Sequence, residues 1–332
     1  MTVRRLASLA PLAILIASCT APLAVPIPSA QTSTVSASRT VLAPDGSDES
    51  VIAIQLKDAA GNDVTNGGHA VAIAPPTNGS ISGVTDHGDG TYTATYTAGT
   101  TEGTVTVRPS LDGVAFTNTV DIELSHFFLA ENGVTVRCPD AVVGASGTVN
   151  GITFTKRTRE QIITNRDEPG YASTACTSGI TDMRDMFFLA ADFNEDIASW
   201  DTSSVTTMQR TFDGAASFDQ PIGAWDTSNV TDMRDTFYAA VSFNEPIGDW
   251  DTSNVTSMSD MFSGAESFDQ DIGDWNTSSV TSMFTMFFGA VRFDQDLSRW
   301  PVASVTDCLG FSTGAAPSWT TDRQPAWTSC TP

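Results

Sequence analysis

A 25-residue period fills the C-terminal half of the chain and constrains its fold more than any other feature. Tryptophan recurs at one position in five successive units, Trp200, Trp225, Trp250, Trp275 and Trp300. Columns of valine, methionine, phenylalanine and isoleucine keep the same register. A fixed period of about 20 to 50 residues indicates stacked units, each of which buries its apolar face against its neighbours. Such chains more often present a surface than catalyse a reaction.

The residue pattern within one unit predicts a short strand followed by a two-turn helix. Residues 251–256 are polar around a single valine, Val255, which suits a strand. Ser257 follows as a good N-cap residue. Four apolar residues then fall at i, i+3, i+4 and i+7, the spacing of one helix face: Met258, Met261, Phe262 and Ala265. Stacking such units predicts a parallel sheet backed by helices.

The first 18 residues have the pattern of an export signal. Arg4 and Arg5 precede an apolar run, residues 6–16, that is too short to span a bilayer. The ending Ile16-Ala17-Ser18-Cys19 resembles a bacterial lipobox. This resemblance implies cleavage before Cys19, lipid attachment to Cys19 and a membrane anchor for the mature protein. The alternative is a plain signal peptide in which Cys19 has no role.

The chain between the signal and the repeats divides into three further segments. Residues 19–39 are rich in Pro, Ser, Thr and Ala, and are predicted to be a flexible tether. Residues 40–125 alternate apolar and polar side chains in short runs separated by turn pairs such as Asp89-Gly90, which predicts an all-β sandwich. Residues 126–176 add two more alternating runs and a basic cluster, and are predicted to cap the first repeat.

Two resemblances refine this division. Two segments resemble the bacterial Ig-like domains of invasin- and intimin-type surface proteins, which are mostly stalk units: Lys57-Asp58-Ala59-Ala60-Gly61-Asn62 and Gly88-Asp89-Gly90-Thr91-Tyr92-Thr93-Ala94. The unit from Phe243 to Met258 resembles the repeat of BspA-type leucine-rich-repeat bacterial surface proteins. Together they predict a multidomain chain, in which an all-β Ig-like sandwich is followed by a capped α/β leucine-rich-repeat-like solenoid at residues 177–316 and a C-terminal cap at 317–332. The second resemblance implies a cell-surface location and a role in adhesion.

The four cysteines after Cys19 stand beside the two ends of the repeats. An even number of cysteines in an exported chain indicates disulfides, and four cysteines allow three pairings. Proximity along a one-dimensional stack favours Cys138 with Cys176 and Cys308 with Cys330, and the BspA-type resemblance also favours a cysteine pair at each cap.

Charge and composition exclude several classes of function. The 39 acidic and 16 basic residues give a formal net charge of −23, which disfavours nucleic acid as a partner. The three histidines, His69, His87 and His126, lie outside the repeats, so the repeats contain no nucleophile–histidine pair. Carboxylates recur in columns that turn chemistry explains. A calcium site on these columns and a carboxylate-dependent hydrolase are retained as alternatives, but no cofactor is predicted and the protein is not expected to be an enzyme.

One face of the repeats is the candidate binding surface. The residues flanking each inward valine must point outward, and they are small hydrogen-bonding side chains, represented by Asn229, Thr231, Asn254 and Thr256. The alternative is that threonine is present for strand propensity and asparagine for tight turns. The sequence therefore predicts a lipid-anchored protein of the cell surface or outer membrane, whose repeats bind a surface protein or glycan; the main alternative is a structural spacer without a ligand.

Overall fold

A computed structural model describes residues 26–332 of the protein. The predicted signal peptide and the lipidation site Cys19 lie outside these residues. The described part begins with an Ig-like domain, continues through a small disulfide-linked cap, and ends in the repeat region and a short C-terminal segment.

The Ig-like domain is a sandwich of short strands. Its strands, in chain order, are β1 Thr34–Ala37, β2 Val41–Leu42, β3 Glu49–Gln55, β4 Val71–Ile73, β5 Ser80–Ile81, β6 Thr85–Asp86, β7 Thr91–Thr97, β8 Gly103–Val107, β9 Pro109–Leu111, β10 Val114–Ala115 and β11 Val120–Leu124. One sheet has the order β1-β3-β7-β5, with β6 also paired to β7. The other strands form two three-stranded groups, β2-β11-β8 and β10-β9-β4.

The domain core confirms the predicted alternation of side chains. Ile52 and Tyr96 come from the first sheet and pack with Val105 and Ile122 from the β2-β11-β8 group. The domain begins earlier than predicted, because β1 pairs with β3 over its whole length although it lies in the segment assigned to the tether. The predicted tether at residues 19–39 is therefore corrected at its C-terminal end.

The cap contains five short strands and a helix: β12 Phe128–Leu129, β13 Val136–Arg137, β14 Ser146–Val149, β15 Ile152–Lys156, α1 Arg159–Asn165 and β16 Ala175–Cys176. Thr158 and Gln161 form a capping box at the start of α1. Ile162 of α1 is fully buried and joins the core of the repeats. Cys138 and Cys176 form a disulfide in the cap, and Cys308 forms another with Cys330, as predicted.

The predicted α/β leucine-rich-repeat-like solenoid is wrong. Within residues 177–316 no unit contains a helix or a strand of two or more residues; α1 is the one α-helix in residues 26–332. The units are chains of turns, and their strand pairing is limited to single parallel bridges, which join Asp182, Thr207, Asp232, Ser257, Ser282 and Asp307 in succession. Ser257 is thus a bridge residue and not a helix N-cap. We call residues 177–316 the repeat stack.

The reason lies in where the backbone N–H groups point. In the segment predicted to be helical, alternate residues donate to the next unit: Met258 to the carbonyl of Ser282 at 3.0 Å, and Asp260 to that of Phe284 at 2.8 Å. The residues between them donate three positions back, as Met261 does to Met258. Asp260 has a φ of 56°, which no α-helix accommodates. The i, i+3, i+4, i+7 spacing of apolar residues therefore arises from repeated turns.

The predicted inward columns nevertheless form the core of the stack. Trp225 and Trp250 stack with ring centroids 6.5 Å apart and an interplanar angle of 2°, and the other tryptophans continue this column. The indole N–H of Trp250 donates to the carbonyl of Ile222 in the preceding unit at 3.1 Å. Each tryptophan of the column repeats this bond. Aromatic packing and a buried polar bond thus fix the same register.

Candidate functional site

The four residues predicted for the binding surface lie together on the outside of the stack. Asn229, Thr231, Asn254 and Thr256 are all exposed, while Val230 and Val255 between them are buried. We call these four, with the equivalent positions of the other units, the threonine face. The structure therefore exposes the predicted residues, although Asn229 and Asn254 lie in turns and none of the four lies in the predicted strands.

The side chains of the threonine face already serve the backbone. The hydroxyl of Thr256 donates to the carbonyl of Thr231 at 3.0 Å, and that of Thr231 donates to Thr206 at 3.1 Å. The amide of Asn254 donates to the carbonyl of Ser228 at 2.7 Å. These bonds run from each unit to the one before it. They fix the orientation of these exposed side chains.

The acidic columns are built into the backbone in the same way. In one column a side-chain oxygen accepts the backbone N–H of the equivalent residue in the next unit: Asp219 accepts from Asn244, and Asn244 accepts from Asp269, both at 2.9 Å. In the other, Asp251 accepts the N–H of Ser253 at 2.9 Å in a local turn. The local bond agrees with turn chemistry for the Asp251 column, whereas the Asp219 column joins one unit to the next and is not explained by a turn. Within residues 26–332 no group of three or more Asp, Glu, His or Cys side chains is arranged to hold a metal ion.

One acidic group of the stack stands in an unusual electrostatic environment. Burial and the neighbouring carboxylates of Asp260 and Asp213 raise the pKa of Asp235 to about 6, although Arg210 and Arg234 act in the opposite direction. The repeats contain no histidine that could act together with this group. Its raised pKa makes the stability of the folded chain depend on pH.

A cleft of about 850 Å³ lies where the Ig-like domain, the cap and the first units meet. Its lining includes Arg39, Asp48, Arg137 and Asp201. These groups pair with each other: Arg39 binds Asp48, and the Arg137 guanidinium lies 3.9 Å from the Asp201 carboxylate. These four charges are thus paired within the protein.

The basic cluster of the cap has a role that the sequence did not reveal. Each unit uses its N–H groups to bond the carbonyls of the next, so the first unit has carbonyls with no preceding unit to bond them. Arg166 donates to the carbonyls of Met186 and Phe188, at 2.9 and 3.1 Å, and Arg159 donates to that of Arg184. The two guanidinium groups thus replace the missing unit. The sequence shows Arg159 and Arg166 seven residues apart, but it does not show that they bond carbonyls of the first unit.

Comparison with known families finds one match in each half of the chain. Residues 29–126 match the family model described as invasin, domain 3. Residues 171–250 and 220–319 match the model described as Mycoplasma protein of unknown function, DUF285. Among curated proteins no match is found.

Several solved structures are similar to part of the chain. Invasin, described as a bacterial integrin-binding protein, is 37% identical over 30% of this chain and 20% of that one, with a TM-score of 0.27. InvD of Yersinia pseudotuberculosis is 28% identical over 39% of this chain and 38% of that one, with a TM-score of 0.27. The Escherichia coli adhesin FdeC is 21% identical over 36% of this chain and 39% of that one, with a TM-score of 0.26. The chain therefore spans less than two fifths of each of these proteins.

Residues 29–126 are accordingly an invasin-like Ig domain. The two disulfides are typical of exported proteins. With the invasin-like domain, they indicate an extracellular or surface protein of the adhesion type. No helix among the described residues has the length and apolarity needed to cross a membrane.

Proposed function

We propose that the protein is a lipid-anchored bacterial surface adhesin, in which the Ig-like domain supports the repeat stack and the threonine face binds a surface protein or glycan. The match of residues 29–126 to an invasin domain carries this proposal. The proposed anchor is Cys19, and a location at the cell surface or outer membrane follows from it. The likeness of the repeats to those of BspA-type surface proteins agrees with the location.

The chemistry of the threonine face supports a binding role. Its hydroxyl and amide side chains repeat from unit to unit, and each is held by a bond to the backbone of the preceding unit. A surface that is ordered before binding loses little conformational entropy when a ligand docks. Protein loops and sugars both offer hydroxyl and amide groups that pair with such a face.

A structural spacer without a ligand is the second candidate, and the same bonds favour it. Every donor that Thr231 and Thr256 offer is used within the stack. We further propose that the protein is not an enzyme, because the acidic columns are engaged in backbone bonds and the repeats contain no histidine.

Two measurements test the proposal. Expression of the full chain in a bacterial host, with fatty-acid labelling, should mark the wild type and should not mark Cys19→Ala; label that persists in the variant excludes the anchor. Screening of residues 26–332 on arrays of matrix glycoproteins and glycans should find a saturable ligand. A surface-located protein that binds nothing on either array would favour the spacer. Turnover of a polysaccharide would contradict the non-enzymatic assignment.

A further inference from the structure

The two ends of the repeat stack differ in how their backbone groups are satisfied. In each unit from Met183 to Gly289, four alternate N–H groups donate to carbonyls of the next unit, as Met283 does to Asp307 at 2.8 Å and Gly289 does to Thr313 at 2.9 Å. The equivalent N–H groups of the last unit belong to Cys308, Gly310, Ser312 and Gly314. None of the four makes a hydrogen bond within residues 26–332. The arginines of the cap close the opposite end of the stack.

The C-terminal segment covers the interior of this last unit. Cys330 is bonded to Cys308, and the Trp327 ring packs edge-on against Phe311 with centroids 4.8 Å apart. Cys308 and Phe311 are buried as a result. Gly310 and Ser312 remain half-buried and Gly314 is exposed. We call these three residues the open edge.

An apolar patch lies beside the open edge. One outward column reads Arg184, Gln209, Arg234, Ser259, Phe284 and Leu309 along the stack, so it turns apolar in the last two units. Phe284 and Leu309 are exposed, and Leu309 retains 63% of its surface. Phe288, four residues after Phe284, is 48% exposed. Exposed apolar patches on a highly charged protein mark interaction sites, and the net charge here is −23.

We propose that the open edge and this apolar patch together bind a segment of a partner protein, held in the same turn conformation as the units, as one further rung of the stack. Backbone carbonyls of the segment would accept the N–H groups of Gly310, Ser312 and Gly314, in the register that Thr285, Phe287 and Gly289 use with the last unit. An apolar side chain of the segment would continue the column of Phe284 and Leu309. The units beside the open edge are close to neutral, so a preference for basic flanks comes from the long-range field of the whole chain, whose net charge is −23.

A second copy of the chain is not the occupant. Its first unit would have to offer the carbonyls of Arg184, Met186 and Phe188, and the arginines of its own cap already occupy them. Head-to-tail growth is therefore blocked at one of the two ends. This binding site is independent of the threonine face and lies beyond the function proposed above.

A peptide copied from one unit of the stack serves as the probe for the open edge. A nonapeptide copy of residues 281–289 with Met283→Ala, Met286→Ala and Phe287→Ala keeps the two outward phenylalanines and removes the large inward side chains that the C-terminal segment would exclude. Two lysines at each end supply the basic flanks. Binding of this peptide to residues 26–332 is measured by fluorescence anisotropy, with a scrambled peptide as the control.

The test variant is the triple substitution Phe284→Ser, Phe288→Ser and Leu309→Gln. It introduces residues that the chain carries at the same columns, Ser259, Ser263 and Gln209, so the stack should fold. The matched control is Leu189→Gly, which removes an exposed leucine at the far end of the stack, where the next unit has Gly214.

The wild type and Leu189→Gly should bind the peptide equally, and the triple variant should bind at least tenfold more weakly. Hydrogen–deuterium exchange should slow at the amides of Gly310, Ser312 and Gly314 on binding. Equal binding of the scrambled peptide, unchanged affinity of the triple variant, or protection elsewhere would overturn the proposal. Self-association of residues 26–332 that the triple variant abolishes would also overturn it, in favour of a second copy.

Discussion

The guanidinium of Arg166 donates a hydrogen bond to the backbone carbonyl of Met186 at 2.9 Å, in the position that a preceding repeat would otherwise fill. Its other terminal nitrogen bonds the carbonyl of Phe188. A stack whose backbone bonds run between units must satisfy its first unit from outside. One side chain therefore closes two bonds of the ladder, and it links the folding of the cap to that of the repeats.

Arg166→Ala should destabilise the first unit by roughly 1.5 to 3 kcal/mol, the range for hydrogen bonds that involve a charged group. The carbonyls of Met186 and Phe188 would lose their donors in a partly buried place. Faster hydrogen exchange in the first unit, with the last unit unaffected, is the expected result. Arg184→Ala is the matched control, because its exposed side chain makes no hydrogen bond within residues 26–332. Equal effects of the two variants would contradict the capping role.

Trp250→Phe should destabilise the middle of the stack by about 1 to 3 kcal/mol, the cost of leaving a buried acceptor without its donor. The indole N–H of Trp250 bonds the carbonyl of Ile222, which lies in the core. A fall in thermal midpoint together with local exchange near Ile222 is expected. Tyr238→Phe, on the exposed side of the same unit, should leave both measurements unchanged. A Trp250→Phe variant as stable as the wild type would show that the bond is dispensable.

Only part of this architecture is readable from the sequence. The columns of Trp250, Val255 and Phe268 predicted which side chains are buried, because burial depends on the period alone. The helix was mispredicted because turns with a positive φ at Asp260 place apolar residues at the same spacing as a helix. The exposure of Asn254 and Thr256 was predicted, but its predicted cause was not correct, because Asn254 lies in a turn closed by the bond from Val255 to Thr252 and not in a strand. The bond from Thr231 to Thr206 was not predicted, because it joins units 25 residues apart.

The stability of the stack should fall as the pH rises through the pKa of Asp235. The pKa of Asp235 is about 6 in the folded chain and near 3.8 in the unfolded chain. The protonated carboxyl therefore stabilises the fold fully below about pH 3.8, and this contribution is lost once the pH rises above about 6. Asp235→Asn should therefore raise the thermal midpoint at about pH 7.5 and change it little at about pH 4. A variant that stabilises equally at both pH values would contradict this assignment.

Asp251→Asn is the control, because the pKa of Asp251 is lowered in the folded chain whereas that of Asp235 is raised. Hydrogen bonds from Ser253 lower the pKa of Asp251, so its ionised form stabilises the fold and that stabilisation is lost as the pH falls. The substitution should lower the midpoint near neutral pH and have less effect in acid. Asparagine occupies the equivalent position at Asn276, where its side chain accepts the same local bond from Ser278, so the turn should persist.

Removal of the C-terminal disulfide should loosen the end of the stack first. Cys308 and Cys330 are separated by 22 residues, and opening a loop of this size costs ~3 kcal/mol in the chain-entropy model. Cys308→Ala with Cys330→Ala should accelerate hydrogen exchange in the last unit and leave the first unit unchanged. Loss of protection throughout the stack would show instead that the units unfold together.

The central claim is that the threonine face binds the ligand of this surface protein, and a fourfold variant tests it directly. Asn229→Ser and Asn254→Ser keep a side-chain donor, as Ser279 does toward the carbonyl of Ser253 at 2.8 Å. Thr231→Val and Thr256→Val keep the backbone N–H bonds to the preceding unit. The fold should survive, and the array ligand should bind at least tenfold more weakly than to the wild type. Glu266→Gln, also exposed but outside the threonine face, should bind normally. An affinity of the fourfold variant equal to that of the wild type would contradict the claim.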